Sequence, residues 1–498
     1  MKPSMSNAAA NALQAAFSIV LTFVLYRVVI AALGIGQLGV WSVLLATASV
    51  SRLSDLGLTA GITRFIARDL AAGDPERAAA VVETGLVALG LAVGVILLAI
   101  YAIAPHMLGL AFAGQYLATA LDILPYSLVA AWLSVLGMAA VSGLDGCQRF
   151  KVKAVILTVS QGLMVPLAML LLPRMGLRGL AYAQVLQGTF LIVGAWVILR
   201  RELSAVPLVP RRCSWPILRE MLSYGVKVQA SSLTLLLFDP LTKFLMARFG
   251  GPQAVGYFEV ANQVIAKVRS VILSANQVIV PQTAAIGEQD ADSIKSLYAW
   301  SLRLTTFVSL PTYALLLASA NLISALVFKS DSPEFAFFFS VSILGWAANT
   351  FAIPAYFVNL GTGAVGQNLA QHVLMGVANL ALGLALGALF FASGVVVAYA
   401  VSLALGGVFL VGVFQRRRGV HLGDLALRDH TPLLAVSLAV AVAAALASEI
   451  IGYARPYLGG ILVVAVAALV LVVPVWLHPL RKELLGAIVA RRQALQLP

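Results

Sequence analysis

The chain has 498 residues, 61% of them hydrophobic and only 11% charged, with a mean hydropathy of +0.96. That composition excludes an ordinary soluble globule, and apolar blocks of about 20 residues recur to the end of the chain, as in a multi-pass membrane protein. The net charge of +13 reflects the placement of loop cations, as shown below, and implies no nucleic acid.

In chain order, the first apolar block runs from Asn11 to Leu33 behind a single cation, Lys2. It is too long for the core of a cleaved signal, so a retained spanning helix is expected. Blocks separated by glycine, proline and charge then predict about fourteen helices. Their centres fall near residues 22, 48, 91, 130, 163, 188, 235, 268, 306, 346, 378, 403, 441 and 467. The longest connectors are Arg200 to Glu220 and Arg416 to Asp429, and the tail after His478 is short and basic. Almost nothing remains for a soluble domain. Gly90/Gly94 and Gly383/Gly387 have the small-xxx-small spacing of close helix packing. Cys147 and Cys213 fall far apart in predicted cytoplasmic loops, so no disulfide framework is indicated.

Cation placement orients the helices. With both termini in the cytoplasm, that side takes twenty-one lysines and arginines, among them Arg64, Arg68, Arg77, Arg149, Arg200, Arg201 and Arg416 to Arg418. The outer side takes five: Arg174, Arg178, Arg248, Lys329 and Arg455. The basic runs read first as topology anchors and second as contacts to anionic headgroups. Seven cations remain inside or near the ends of helices: Arg27, Arg52, Lys227, Lys243, Lys267, Arg269 and Arg303. Such residues usually face a bundle interior or a water-filled cavity.

An internal repeat organises them. YRVVIAALGIGQLGVWSV, from Tyr26 to Val43, aligns with TKFLMARFGGPQAVGYFEV, from Thr242 to Val260, with one inserted residue in the turn. Gly34 then matches Gly250 at an offset of 216, and Gly39 matches Gly256 at 217. The same offsets place Arg27 on Lys243 and Arg52 on Arg269. The fold class is therefore read as all-α, with two six-helix lobes related by a pseudo-twofold axis plus two C-terminal helices. The expected divisions are an N-terminal lobe 1–200, a basic linker 201–220, a C-terminal lobe 221–415, and a final helix pair with basic tail, 416–498. An even number of spans per half gives both halves the same orientation, and binding is expected between them. Arg27 and Lys243 lie roughly 10 Å below their outer turns, and Arg52 and Arg269 roughly 20 Å below.

Three acids share these helices. Asp55 can pair with Arg52 at i, i+3, Asp239 with Lys243 at i, i+4, and Glu259 opens the eighth helix. Set against Arg27, Arg52, Lys243, Lys267 and Arg269, they leave a surplus of two positive charges. A cavity with that balance fits an anionic ligand such as phosphate or pyrophosphate. Alternatives stay open residue by residue. Arg52 with Asp55 is a ligand site or a neutral ion pair locking two helices. Arg27 and Lys243 line a cavity or snorkel outward, their recurrence favouring the cavity. Lys227 reads as an interfacial anchor, and Arg303 as a ligand group or an intrabundle partner. Asp239-Pro240 marks a kink or a proton or Na+ site.

Other chemistry is sparse. There is no P-loop pattern, no G-x-S-x-G elbow, and no metal spacing among His106, His372, His421, His430 and His478. No metal site and no resident cofactor are expected. Asp290-Ala291-Asp292 could serve a glycosyltransferase, but reads better as a solvated helix start.

LGIGQLGVWSV followed by SDLGLTAGITRFIARDLAAGD resembles the early segment of the polysaccharide transporters, the O-antigen and lipid-linked oligosaccharide flippases of the multidrug/oligosaccharidyl-lipid/polysaccharide (MOP) exporter superfamily. The motif covers mainly Tyr26 to Arg77, and the architecture the whole chain. The family often has a proline in the outer turn; here the first copy has Ile35-Gly36 and the second keeps Gly251-Pro252. The resemblance implies that helices one, two, seven and eight line a central cavity. It also implies a bacterial cytoplasmic membrane protein that flips a polyprenyl-pyrophosphate-linked oligosaccharide by alternating access, without covalent catalysis. On that reading Arg27, Arg52, Lys243, Lys267, Arg269 and Arg303 are candidate substrate contacts, and Asp55, Asp239 and Glu259 candidate charge-pairing or ion-coupling groups. Expected partners are the lipid-linked oligosaccharide, membrane lipids, and polysaccharide polymerase or assembly proteins, with H+ or Na+ as the coupling ion if there is one. The alternatives are an ion-coupled multidrug exporter using Asp239, a membrane glycosyltransferase or polymerase, and a flippase of the peptidoglycan precursor.

Overall fold

The computed structural model describes residues 5–50, 55, 57–229, 233–277, 279–286, 290–329, 332–421, 427–451, 456–483 and 486. These residues are almost wholly helical and contain no strand. Eight helices among them are long and apolar enough to cross a bilayer, or nine if one pair bent by 42° counts as a single broken span. The chain is an all-α, multi-pass membrane protein. Two of its longest helices each join two spanning arms across a sharp turn, so every predicted helix centre falls inside a helix.

The first compact unit is Met1–Glu259. It contains α1 (Met5–Leu33), α2 (Ile35–Ser49), α3 (Leu58–Ala71), α4 (Pro75–Ala111), α5 (Gly114–Gly146), α6 (Phe150–Met175), α7 (Leu177–Glu202), α8 (Trp215–Gln229) and the start of α9 (Leu233–Asn276). Helix α4 begins as its sequence GDPER demands. Asp74 caps it by accepting from the Arg77 amide at 2.9 Å, and Pro75 occupies the first turn, where a missing N–H costs nothing. The basic linker is fastened to α4, because Glu83 accepts from the amides of Arg211 and Arg212 and Thr84 from that of Ser214. The stretch TRFIARDLAAGDPER, which carries Arg64, Arg68 and Arg77 of the expected cytoplasmic side, is mostly the amphipathic helix α3. Its Arg68 pairs with Asp69 and Glu220, and Arg64 stacks on Tyr224 at 4.2 Å. The Arg68 hydrogen bond holds the Glu220 carboxyl below the usual carboxylate range.

The second unit, Val260–Pro498, contains the rest of α9, then α10 (Ile279–Ile286), α11 (Ala291–Ala318), α12 (Ala320–Phe328), α13 (Pro333–Thr350), α14 (Ile353–Thr362), α15 (Val365–Arg418), α16 (Thr431–Ile451) and α17 (Pro456–Leu477). Asp290 of the D-x-D caps α11 by accepting from the Ser293 amide at 2.9 Å, the expected helix-start role. Helices α16 and α17 pack on α11 through a small-residue core that includes Ala314, Ala318, Ala444 and Ala467.

Backbone geometry carries the repeat further than the sequence did. The α1–α2 turn is made by Gly34 at φ 84°, and the turn inside α9 by Gly251 at φ 74°, so by conformation the mate of Gly34 is Gly251, at the offset of 217. A second turn recurs at an offset of 215. Gly176 (φ 58°) joins α6 to α7, and Phe391 (φ 55°) breaks α15. Beside each turn a glycine allows a close crossing. A Cβ on Gly179 would lie 2.4 Å from the Leu171 carbonyl oxygen, and one on Gly394 would lie 2.0 Å from that of Leu386. Gly90 and Gly94 face α5, where Trp132 Nε1 donates to the Gly90 carbonyl at 2.9 Å, and a Cβ added at either would meet its nearest neighbour at 3.6 Å or more.

Candidate functional site

In the first unit, α2 crosses the arm of α9 that follows Gly251 at van der Waals distance. A Cβ on Gly39 would lie 1.8 Å from the Pro252 carbonyl oxygen, and one on Gly256 would lie 2.4 Å from that of Ile35. Ile35 and Pro252, like Gly39 and Gly256, are 217 residues apart, so each contact is the other's repeat mate. A contact of this reciprocal kind is what a local twofold axis produces.

One turn further along both helices, Ser42 donates to Glu259 Oε2 at 2.7 Å, and these two residues are again 217 apart. Glu259 is the centre of a buried cluster. Its Oε1 accepts from the Tyr26 hydroxyl at 2.6 Å, and its Oε2 also meets Lys243 Nζ at 2.7 Å. Lys243 reaches Asp239 at 2.9 Å, the i, i+4 pair expected from sequence. Lys243 and Glu259 are 5% and 2% exposed, so the pair sits in a low-dielectric environment with its charges matched. Apart from the half-exposed Asp239, this cluster is buried and its members bond one another. Lys243 and Glu259, a candidate substrate contact and a candidate ion-coupling group, thus bond to one another. Arg27, the repeat mate of Lys243, is half-buried on α1 beside Tyr26.

The second unit holds a cation of another kind. Arg269 lies half-buried on α9 with its guanidinium 4.2 Å from the centre of the Trp346 ring. Its Nη2 reaches Asn349 Oδ1 at a long 3.5 Å, its Nε bonds nothing, and no carboxylate pairs with it among the described residues. Three phenols, of Tyr313, Tyr356 and Tyr399, lie near enough to feel its charge. Two are engaged, Tyr313 with Thr350 at 2.7 Å and Tyr399 with Asn262 at 3.0 Å. Lys267 sits two residues earlier on the same helix and so points about 160° away from Arg269.

The remaining predicted residues separate from these. Arg303 faces acids of its own unit, Asp429 at 3.5 Å and Glu483 at 3.3 Å. Beside it, His478 Nε2 and His430 Nδ1 lie 3.1 Å apart, and the Leu480 amide donates to His478 Nδ1. That amide fixes the proton of His478 on Nε2, so His430 accepts at Nδ1 and carries its own proton on Nε2. Burial first, then His478 and Arg303, hold His430 down at about 4. Asp55 Oδ1 accepts from the Thr59 amide at 3.0 Å and the Thr59 hydroxyl at 2.6 Å, at the start of α3. Arg52, its expected pairing with Asp55, and the side chain of Lys227 lie outside the described residues.

Sequence reading passed over Tyr26, Ser42, Trp346 and Asn349. The first two were within reach. Ser42 is the repeat mate of Glu259, and Tyr26 precedes Arg27, so the repeat that singled out the cations also pointed to them.

A family model described as polysaccharide biosynthesis protein matches residues 79–331. No protein of curated function matches the sequence. Among solved structures, an inward-facing multidrug resistance MATE family transporter of the MOP superfamily is similar at a TM-score of 0.72 and 18% identity, over 80% of this chain and 94% of that one. Lipid II flippase MurJ in an inward closed conformation is similar at a TM-score of 0.70 and 11% identity, over 93% of this chain and 98% of that one. A MOP superfamily transporter from Pyrococcus furiosus, reported for the reverse polarity of its binding pocket, reaches 0.53 at 17% identity, over 81% and 95% of the two chains.

Proposed function

Because this chain belongs to the polysaccharide biosynthesis protein family and has the fold of the MOP-superfamily transporters, we propose that it flips a polyprenyl-pyrophosphate-linked oligosaccharide across the bacterial cytoplasmic membrane by alternating access. The observation that carries this reading is Arg269. A guanidinium in a spanning helix, stacked on an indole and without a carboxylate among the described residues, is incompletely neutralised. A pyrophosphate supplies the missing charge and the bidentate acceptor geometry that arginine prefers.

The ion-coupled multidrug exporter requires an acid free to exchange a cation. Asp239 is spoken for by Lys243, and Glu259 by Lys243, Tyr26 and Ser42. The D-x-D on which a glycosyltransferase reading rested is committed in part to capping α11. Lipid-linked glycan therefore remains the better match to the charges.

A deletion strain tests the proposal when scored together for surface polysaccharide, inner-membrane polyprenyl-pyrophosphate oligosaccharide and sensitivity to cationic drugs. Loss of polymer with lipid-linked units accumulating on the cytoplasmic face is the expected result. Intact polymer with heightened drug sensitivity would overturn it.

A further inference from the structure

The first unit contains a cavity of about 480 Å³ among α2, α3, α5 and α7. Sites for small molecules run from about 300 to 1,000 Å³. Its polar lining is built from two stripes. Ser127 and Ser134 are seven residues apart and share one face of α5, while Gln184 and Gln187 are three apart and share one face of α7. Asp55 and Thr59 close it from the start of α3, and alanines such as Ala48 and Ala130 leave the space open.

These groups retain hydrogen-bonding capacity. Ser127 Oγ is buried without a partner. Gln184 Oε1 accepts from Trp41 Nε1 at 3.2 Å, which fixes the amide plane and leaves its NH2 as a donor. Among the described residues Asp55 engages Thr59 through Oδ1 alone. Polar side chains collected within spanning helices with hydrogen-bonding capacity to spare mark a water-filled or ligand-filled space.

The composition of the lining selects the ligand. Among the described residues that line it there is no lysine, arginine or histidine to neutralise a phosphate. Among the described lining residues there is no aromatic ring to stack on an organic cation, and the one acid, Asp55, has its Oδ1 taken by Thr59. Paired amides and hydroxyls, each able to donate and accept, match vicinal hydroxyls. We propose that this cavity is a carbohydrate subsite that takes neutral sugar residues of the transported glycan. This inference rests on the flippase reading and adds to it. Pyrophosphate recognition belongs to arginine, and sugar recognition to Gln184, Gln187, Ser127 and Ser134.

The test uses purified full-length protein in lipid nanodiscs and three probes: lipid-linked oligosaccharide extracted from the source cells, undecaprenyl pyrophosphate without sugar, and ethidium as an organic cation. Gln187→Leu and the milder Ser134→Ala are compared with wild type, after thermal unfolding verifies that each variant is folded. The expected result is a tenfold or greater loss of affinity for the oligosaccharide-bearing lipid in Gln187→Leu and a smaller loss in Ser134→Ala. Binding of undecaprenyl pyrophosphate should stay unchanged in both. Equal losses on both lipids, or none, would overturn the subsite while leaving the flippase reading in place. Wild-type protein that binds neither lipid overturns the flippase reading itself. Ethidium binding that weakens in Gln187→Leu would assign the cavity to organic cations and overturn the carbohydrate proposal.

Discussion

Two cations on the spanning helix α9, the buried Lys243 and the half-buried Arg269, are handled in opposite ways. Lys243 is locked between Asp239 and Glu259, with Tyr26 and Ser42 filling the remaining positions on the Glu259 carboxylate. Arg269 has a ring, a long amide contact and an idle Nε. The first arrangement is complete without a ligand, so its removal should be felt by the fold. The second is incomplete, so its removal should be felt by whatever the protein binds. Burial of charge is thus a poor guide to function until the partners have been named.

Predictions that test this contrast can be ranked by size. Glu259→Ala leaves Lys243 buried with Asp239 alone and should cost about 3–5 kcal/mol, read as a lower thermal unfolding midpoint in detergent. The double variant Lys243→Met/Glu259→Leu should recover much of that loss, and failure to recover any would mean the cluster does more than balance its own charges. Gly39→Ala places a methyl 1.8 Å from a carbonyl oxygen. Overpacking of this kind costs about 1–3 kcal/mol, and Gly256→Ala should behave alike if the crossing is truly reciprocal.

A third buried polar cluster, His430 with His478, shows the middle case, stable only while uncharged. With His430 held at about 4 in the fold and near 6.5 when unfolded, the unfolded chain binds the extra proton first. Stability should therefore be full above pH 6.5 and fall as the pH drops toward 4, by on the order of 2 kcal/mol. His430→Phe should flatten that slope in unfolding scans. Arg269→Gln should produce the smallest change in stability, within about 1 kcal/mol, because no paired charge is orphaned. It should nevertheless lower transport of lipid-linked oligosaccharide by at least tenfold, with Arg269→Lys intermediate since it keeps charge but loses the fork and the stacking. Equal transport by wild type and Arg269→Gln would remove the main support for a pyrophosphate contact.

Much of the fold was legible because lipid imposes one rule, a long apolar helix, and the sequence marks each interruption with glycine, proline or charge. The break between α2 and α3 was harder to see. It lies at VSRLSDLG, where Arg52 and Asp55 read as membrane-embedded groups rather than as a helix end, and Gly57, at φ 75° where an added Cβ would lie 2.3 Å from the Gly225 carbonyl oxygen, looks in sequence like one more packing glycine. At the site, charge and repeat offset found Lys243, Glu259 and Arg269, since ionisable residues in a bilayer stand out. Their partners did not stand out. Trp346 and Asn349 are ordinary residues of a membrane helix until Arg269 is placed against them, and that placement is long-range. The stripes Ser127/Ser134 and Gln184/Gln187 were equally silent, because neutral polar residues leave no mark on a charge count.

The reciprocal crossing at Gly39 and Gly256 bears on ancestry. If the two halves descend from one shorter chain that paired with its own copy, the position now held by Ser42 and Glu259 stood on the dimer axis and met itself. A symmetric ancestor would have carried one residue type there, two serines bonding each other or two glutamates sharing a proton. Once the two copies were encoded separately the two positions could diverge, one to a hydroxyl donor and the other to the acid it serves. The Ser42–Glu259 bond is in this sense a mark of the divergence of the two halves, a difference that a symmetric ancestor had no means to encode.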